Sequence, residues 1–161
     1  MSEVPLLEPA GIAELEAQLG YRFCDPDRLV RALTHPSYAH EHPPALHNET
    51  LAFLGDAVVG LVVAELLAAR APQDGVGALT QRRAGLVSAR SLARWATYLG
   101  LPGHLRLGRG EALTGGTAKE SILATAFEAV VAAVYLDAGL GAARKLLARL
   151  VDRHDGPDAA S

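Results

Sequence analysis

The chain has 161 residues, half of them hydrophobic and a fifth charged, with 16 glycines and 9 prolines; this is one domain's worth of chain with material for a real core, which excludes a disordered or collagen-like protein. Its single cysteine, Cys24, excludes an internal disulfide and a Cys-based zinc site, and is expected to be a small, partly buried side chain. The net charge of −3 is uneven: residues 1–70 sum to −6, residues 71–119 to +5 and residues 120–161 to −2, which fits either a solvated helical face or a polyanion-binding surface between acidic flanks.

The opening MSEVPLLEPAG has no basic start and no long apolar stretch, so it does not read as a signal peptide, and residues 1–10 are expected to be an extension. Ile12, Leu15 and Leu19 then mark a short amphipathic helix ending at Gly20. Asp25-Pro26 is a helix start, with Asp25 as N-cap and Pro26 at the first helical position; Leu29, Ala32 and Leu33 face inward until Pro36. Residues 39–47 (AHEHPPALH) read as a Pro/His loop in which His40, His42 and His47 are either polar loop residues or metal ligands. Asn48 is the next expected N-cap, and the helix from Glu49 to about Ala69 is apolar on most sides, so it is central or packs against a partner subunit. Its longest apolar run, residues 57–67, falls short of the about 20 residues that cross a bilayer, so no membrane partner is expected and a cytoplasmic location is.

Residues 71–77 read as a loop and Leu79 to Val87 as a helix. Ser88 is placed to cap a helix carrying Leu92, Trp95, Ala96 and Leu99. Residues 100–117 read as an irregular stretch, and helices follow over about Lys119 to Asp137 and Leu140 to Arg153. There is no β alternation, internal repeat, or Rossmann or P-loop glycine pattern. The expected fold is one all-α domain over residues 11–153 with a flexible tail over 154–161.

Two of these helices carry carboxylates in apolar surroundings. Glu49 and Asp56 are two turns apart, roughly 10 Å on one helix face. Glu128 lies inside AFEAVVAAVYL, where an acid is costly without a partner. Either it is paired with an arginine or capped by amides, or it faces Asp56 across two packed helices, and a divalent cation offsets the repulsion.

HNETLAFLGDAVV (His47 to Val59) resembles the ribonuclease III signature HNERLEFLGDAVL. THPSY (Thr34 to Tyr38), LTQRRAGLVS (Leu79 to Ser88), LRLGRGE (Leu105 to Glu111) and AKESILATAFEAVVAAVYLDAG (Ala118 to Gly139) resemble the other blocks of that family in order, over roughly residues 10–150. The resemblance implies an all-α catalytic domain, homodimeric, that cuts double-stranded RNA with Mg²⁺ (or Mn²⁺) held by carboxylates and leaves 5′-phosphate ends. It implies metal-binding and catalytic roles for Asp56 and Glu128. It also implies entry of Phe53 into a pocket of the partner subunit, where the alternative is Phe53 in its own core.

The departures are specific. Where the family has four metal-site acids, this chain has Ala52 four residues before Asp56 and Thr125 three before Glu128. A further supporting acid is replaced by Ala78, the signature arginine is Thr50, and no double-stranded-RNA-binding domain follows in this sequence. The Mini-III branch, with motifs such as AYMGDAV and STAFEAL, resembles this reduced site. One expectation is therefore a Mg²⁺-dependent endoribonuclease of ribosomal precursor or other structured RNA, needing millimolar metal and holding one ion rather than two. The alternatives are an inactive relative that binds structured RNA or ribosomes, and a helical scaffold whose acids are structural. Thr125 either packs its helix or holds a water. Candidate phosphate contacts are Arg82, Arg83, Arg106, Arg109 and Lys119, the last because it begins the helix carrying Glu128; Arg83 has a salt bridge to Glu49 as its alternative. An accessory RNA-binding protein is an expected source of further contacts.

Overall fold

A computed structural model describes residues 7–155; among them the chain forms nine α-helices and two 3₁₀ turns, and no strand. Helix α1 (Pro9–Leu19) begins inside the segment expected to be an extension and ends at Gly20. Helix α2 (Pro26–Ala32) starts as expected: the Asp25 side chain accepts from the Asp27 amide (3.2 Å), and Pro26 takes the first helical position. It ends at Ala32, and Pro36 opens the next helix, α3 (Pro36–Glu41), where His35 Nδ1 accepts from the Ser37 amide at 3.1 Å. A proline lacks the one donor that a first helical turn does not need, so it starts helices as readily as it stops them. The Pro/His loop is shorter than expected, because residues 39–41 complete α3.

Helix α4 (Glu49–Arg70) begins where expected, but Asn48 does not cap it. The Asn48 side chain is buried and donates to the Ala32 carbonyl (3.0 Å), while its amide donates to the Thr34 carbonyl (3.0 Å). Asn48 therefore ties the start of α4 to the end of α2. Helix α5 (Val76–Leu86) follows. Ser88 caps α6 (Ala89–Tyr98) as expected, accepting from the Ser91 amide at 3.2 Å.

The stretch read as irregular has structure: a 3₁₀ turn (Leu101–His104), the short helix α7 (Arg109–Leu113) and a second 3₁₀ turn (Gly116–Ala118). It is docked on α3. The Gly108 amide donates to Ser37 Oγ (2.8 Å), the Arg109 amide to the Glu41 carboxylate (2.9 and 3.0 Å), and Thr34 and Arg106 form an isolated parallel bridge. A Cβ on Gly108 would lie 2.7 Å from the Ser37 carbonyl oxygen, so glycine is what permits the contact. Helices α8 (Glu120–Ala138) and α9 (Leu140–Asp155) complete the fold, α9 reaching into the expected tail. The rest of the tail and residues 1–6 lie outside the described residues.

Helix α8 is the axis of the molecule. Phe127, Val130, Val131 and Val134 are fully buried, and α8 packs against α4, α6 and α9; Trp95 of α6 lies 5.6 Å from the Phe127 ring. Each fully buried side chain of this size contributes roughly 1.5–3 kcal/mol. By length and composition α4 and α8 are each apolar enough to cross a bilayer, although the run 57–67 alone is not; here they are core helices packed on one another. The difference between them is informative, since 61% of the apolar window of α8 is buried against 44% for α4. Helix α4 leaves Phe53, Ala57 and Leu61 exposed along one side. Cys24 is exposed, not partly buried as expected: its amide is held by Asp137 (2.7 Å) at a chain turn, which points the thiol outward.

A candidate metal centre where two helices cross

The residues beside Asp56 and Glu128 bring the two acids together. Helices α4 and α8 touch backbone to backbone at Gly55: a Cβ there would fall 1.8 Å from the Glu128 carbonyl oxygen. No other residue type fits that position without parting the helices. The crossing therefore carries Glu128 itself and, one residue along from Gly55, Asp56.

Asp56 is exposed and Glu128 half-buried. Burial and, after it, the negative charge of Asp56 push the Glu128 carboxyl up to about 7. The second cause shows that the two carboxyls act on each other across the crossing. Among the described residues neither acid makes a hydrogen bond or ion pair, so the alternative in which Glu128 is neutralised by an arginine is excluded.

The neighbouring turns hold the two replaced positions. Ala52 is buried one turn before Asp56, and Thr125 is half-buried one turn before Glu128, with a hydroxyl that makes no hydrogen bond among the described residues. Among the described residues no group of three His, Cys, Asp or Glu converges anywhere. The donor set is thus two hard carboxylates, flanked by the small side chain of Ala52 and the hydroxyl of Thr125. That suits Mg²⁺, which is commonly held by one or two carboxylates and keeps waters and substrate phosphates as its other ligands. The geometry does not support the His40, His42 and His47 metal site: His42 stacks on Tyr38 (4.1 Å), and His47 lies beside Glu49 (4.0 Å).

The five cations read from the sequence are differently placed. Arg83 and Arg109 are exposed, and among the described residues their side chains make no hydrogen bond or ion pair; Arg83 makes no bridge to Glu49, which lies beside His47 instead. Arg82 pairs with Asp74 (3.2 Å). Arg106 is half-buried and structural: it donates to Thr34 Oγ1 (3.1 Å) and the Tyr38 hydroxyl (3.0 Å), with its guanidinium 4.3 Å from the Tyr38 ring centroid. Lys119 pairs with Glu111 and donates to Thr114 (3.3 Å); its hydrogen bond holds Glu111 below the usual carboxylate range. Burial lowers the His35 pKa, and the negative charges of Glu111 and Glu49 oppose that shift. Phe53 is 83% exposed, which excludes the alternative of Phe53 in its own core.

The sequence reading missed Gly55, although a glycine inside an otherwise apolar helix is a signal of close backbone approach. Ser37 and Glu41, which carry no local signal, both hold the segment containing Arg109.

Comparison with known proteins gives the family. The family described as Ribonuclease-III-like matches residues 25–153. Ribonuclease 3 of Symbiobacterium thermophilum is 49% identical over 146 residues, covering 91% of this chain and 62% of that protein. Ribonuclease 3 of Thermobifida fusca is 48% identical, covering 91% and 60%. The chain thus spans about 60% of the length of these relatives. The nuclease domain of Ribonuclease III from Campylobacter jejuni superposes with a TM-score of 0.83 at 39% identity, covering 89% of this chain and 98% of that one. On that span and that identity, the chain belongs to the ribonuclease-III-like family.

Proposed function

We propose that this protein is an endoribonuclease of double-stranded RNA, such as ribosomal precursor or other structured RNA, and that Asp56 and Glu128 are its metal-holding catalytic carboxylates. The observation that carries the reading is the pair itself: two unpartnered acids held at a helix crossing, one of them with a strongly raised pKa. Leaving such a pair without a counter-charge is unfavourable for folding, and a bound cation offsets it.

When bound, Mg²⁺ (or Mn²⁺) supplies a hard Lewis acid that makes water nucleophilic near neutral pH and stabilises charge on the phosphate and its leaving oxygen. The chain's own part is to bind and orient. Asp56 and Glu128 supply two oxygens from separate helices, and the contact at Gly55 fixes their separation. The free Thr125 hydroxyl is one turn from Glu128, placed to orient a water. Arg83 and Arg109 offer to phosphates guanidiniums that have no partner among the described residues, and duplex RNA presents its phosphates by shape rather than by base sequence. With two acids in place of four, the metal requirement is in the millimolar range and one ion per site is favoured.

The active form in this reading is a homodimer through the exposed side of α4, with Phe53 entering the second copy. The Campylobacter jejuni nuclease domain has a region involved in dimer formation, which supports it by analogy. A ribosomal precursor or an accessory RNA-binding protein supplies further contacts.

A second reading is favoured by Ala52 and Thr125: an inactive relative that binds structured RNA without cutting it. One assay separates the two. Duplex RNA is incubated with the protein in Mg²⁺ or in chelator, beside Asp56→Asn and Glu128→Gln. Cleavage that needs Mg²⁺ and is lost in both variants supports the enzyme. Binding without cleavage in any metal supports the inactive relative, and neither binding nor cleavage overturns both.

A further inference from the structure

We infer that the face of α6 bearing Arg90, Arg94 and Tyr98, together with Arg153 of α9, is a second contact surface for the sugar–phosphate backbone of the RNA, apart from the cations of the motif blocks. This rests on the reading that RNA is the substrate.

Arg90, Arg94, Thr97 and Tyr98 recur at helical spacing on the exposed side of α6. They line an open groove of about 560 Å³, whose other wall is Ala118, Glu120 and Leu123 at the start of α8. Among the described residues Arg90 and Arg94 make no hydrogen bond or ion pair. Several other arginines serve the fold: Arg28 and Arg31 at α2, Arg70 with Asp152, Arg144 with Glu65, and Arg149 on the Gln18 carbonyl. Arg90 also sits in the first turn of α6, where no acid accompanies it and the helix dipole disfavours a cation. Among the described residues these two arginines have no partner, and one of them sits at an unfavourable helix position.

The third cation is held differently. The Arg153 guanidinium stacks 4.1 Å from the centroid of the Tyr98 ring. Stacking fixes the guanidinium plane without using its N–H donors, which stay available for phosphate oxygens. The i, i+4 spacing puts Arg90 and Arg94 roughly 6 Å apart, suited to neighbouring phosphates of one strand. Glu120 is the acid on the rim, and it forms no ion pair with these guanidiniums.

The groove also has the right place. Glu120 and Glu128 are eight residues apart on α8, roughly 12 Å along its axis, so a strand lying over the metal centre has the groove within reach. Charge, a guanidinium held by stacking and proximity to the centre all fit a polyphosphate backbone.

The test measures binding of a labelled blunt RNA duplex in Mg²⁺ across a salt series, in an Asp56→Asn background that prevents cutting. Arg90→Ala/Arg94→Ala is compared with Arg22→Ala/Lys145→Ala, which removes the same charge from exposed positions elsewhere. The expected result is that the α6 pair weakens binding roughly tenfold near 0.15 M salt and lowers the slope of log K against log salt by about two, since each phosphate contact contributes about 0.9. The control pair changes both far less. Arg153→Ala alone lowers the slope by about one. Equal effects of the two double variants, or unchanged binding by the α6 pair, overturn the assignment while leaving RNA as ligand. No binding by the parent protein overturns RNA as ligand and this surface with it.

Discussion

Gly55 of α4 and Glu128 of α8 meet main chain to main chain, with room for a hydrogen and nothing larger between Gly55 and the Glu128 carbonyl oxygen. This contact decides where the candidate centre is, because Asp56 follows Gly55 and Glu128 is the other side of the contact. The position tolerates no methyl group. Gly55→Ala is expected to force the helices apart and destabilise the protein by about 3 kcal/mol or more, at the top of the overpacking range. Chemical denaturation measures this, and a variant as stable as the parent would sink the account of the crossing.

The raised pKa of Glu128 makes stability depend on pH in a definite direction. Its folded value of about 7 lies above the ordinary value of 4.5, so the folded state binds this proton more tightly than the unfolded state. The destabilisation is absent below about 4.5, grows as pH rises to about 7, and is complete above it. Metal-free Glu128→Gln is therefore expected to be more stable than the parent at pH 8, by on the order of 2–3 kcal/mol, and equal to it at pH 4. Mg²⁺ should raise the melting temperature of the parent at pH 8 and leave that of Glu128→Gln unchanged. Thermal melts at the two pH values, with and without Mg²⁺, check both statements. The apparent Mg²⁺ affinity of the parent should fall as pH drops below 7, since proton and cation compete for one carboxylate.

In the proposed dimer, the Phe53 ring, 83% exposed on a helix with a continuing apolar side, is the anchor. Phe53→Asp places a charge there without touching the core. The expected outcome in sedimentation is a fall from dimer mass to monomer mass with the helical circular dichroism retained. An unchanged mass would remove Phe53 as the anchor.

Asp137 anchors the far end of α8 to the chain before α2. It accepts from the Tyr21 hydroxyl (2.5 Å) and the amides of Cys24 (2.7 Å) and Asp25 (3.0 Å), with Arg28 at 3.5 Å. Burial works against its charge, yet the Tyr21 hydrogen bond, the two amides and Arg28 outweigh it and hold its pKa below the usual carboxylate range. A depressed pKa contributes stability that is present above the unfolded value and is lost as pH falls through the folded one. Asp137→Asn is expected to cost about 1–3 kcal/mol at pH 7, with the difference from the parent shrinking toward pH 3. Urea denaturation at both pH values is the measurement; a constant difference would contradict the charge-based account.

Local signals in the chain reached the longer helices and drew attention to the two acids, but not the short helices α3 and α7, whose ends are held by contacts from elsewhere in the chain. The Asp25-Pro26 start, the Ser88 cap, and the heavily apolar α4 and α8 each report a preference set within a few residues, so they were legible before any folding was known. Asp56 and Glu128 stood out because an acid in an apolar run is conspicuous. Pro36 and Asn48 were misread because the same residue starts or stops a helix, or caps or tethers one, according to what lies across from it. Arg106 looked like a surface cation until Thr34 and Tyr38, far away in sequence, were found to hold it. Whether Asp56 and Glu128 meet, how far Glu128 is pushed from its ordinary pKa, and which arginines are left unpaired all depend on contacts between residues distant along the chain. Those properties arise from packing and shared burial, and no residue carries them until the helices have closed on one another.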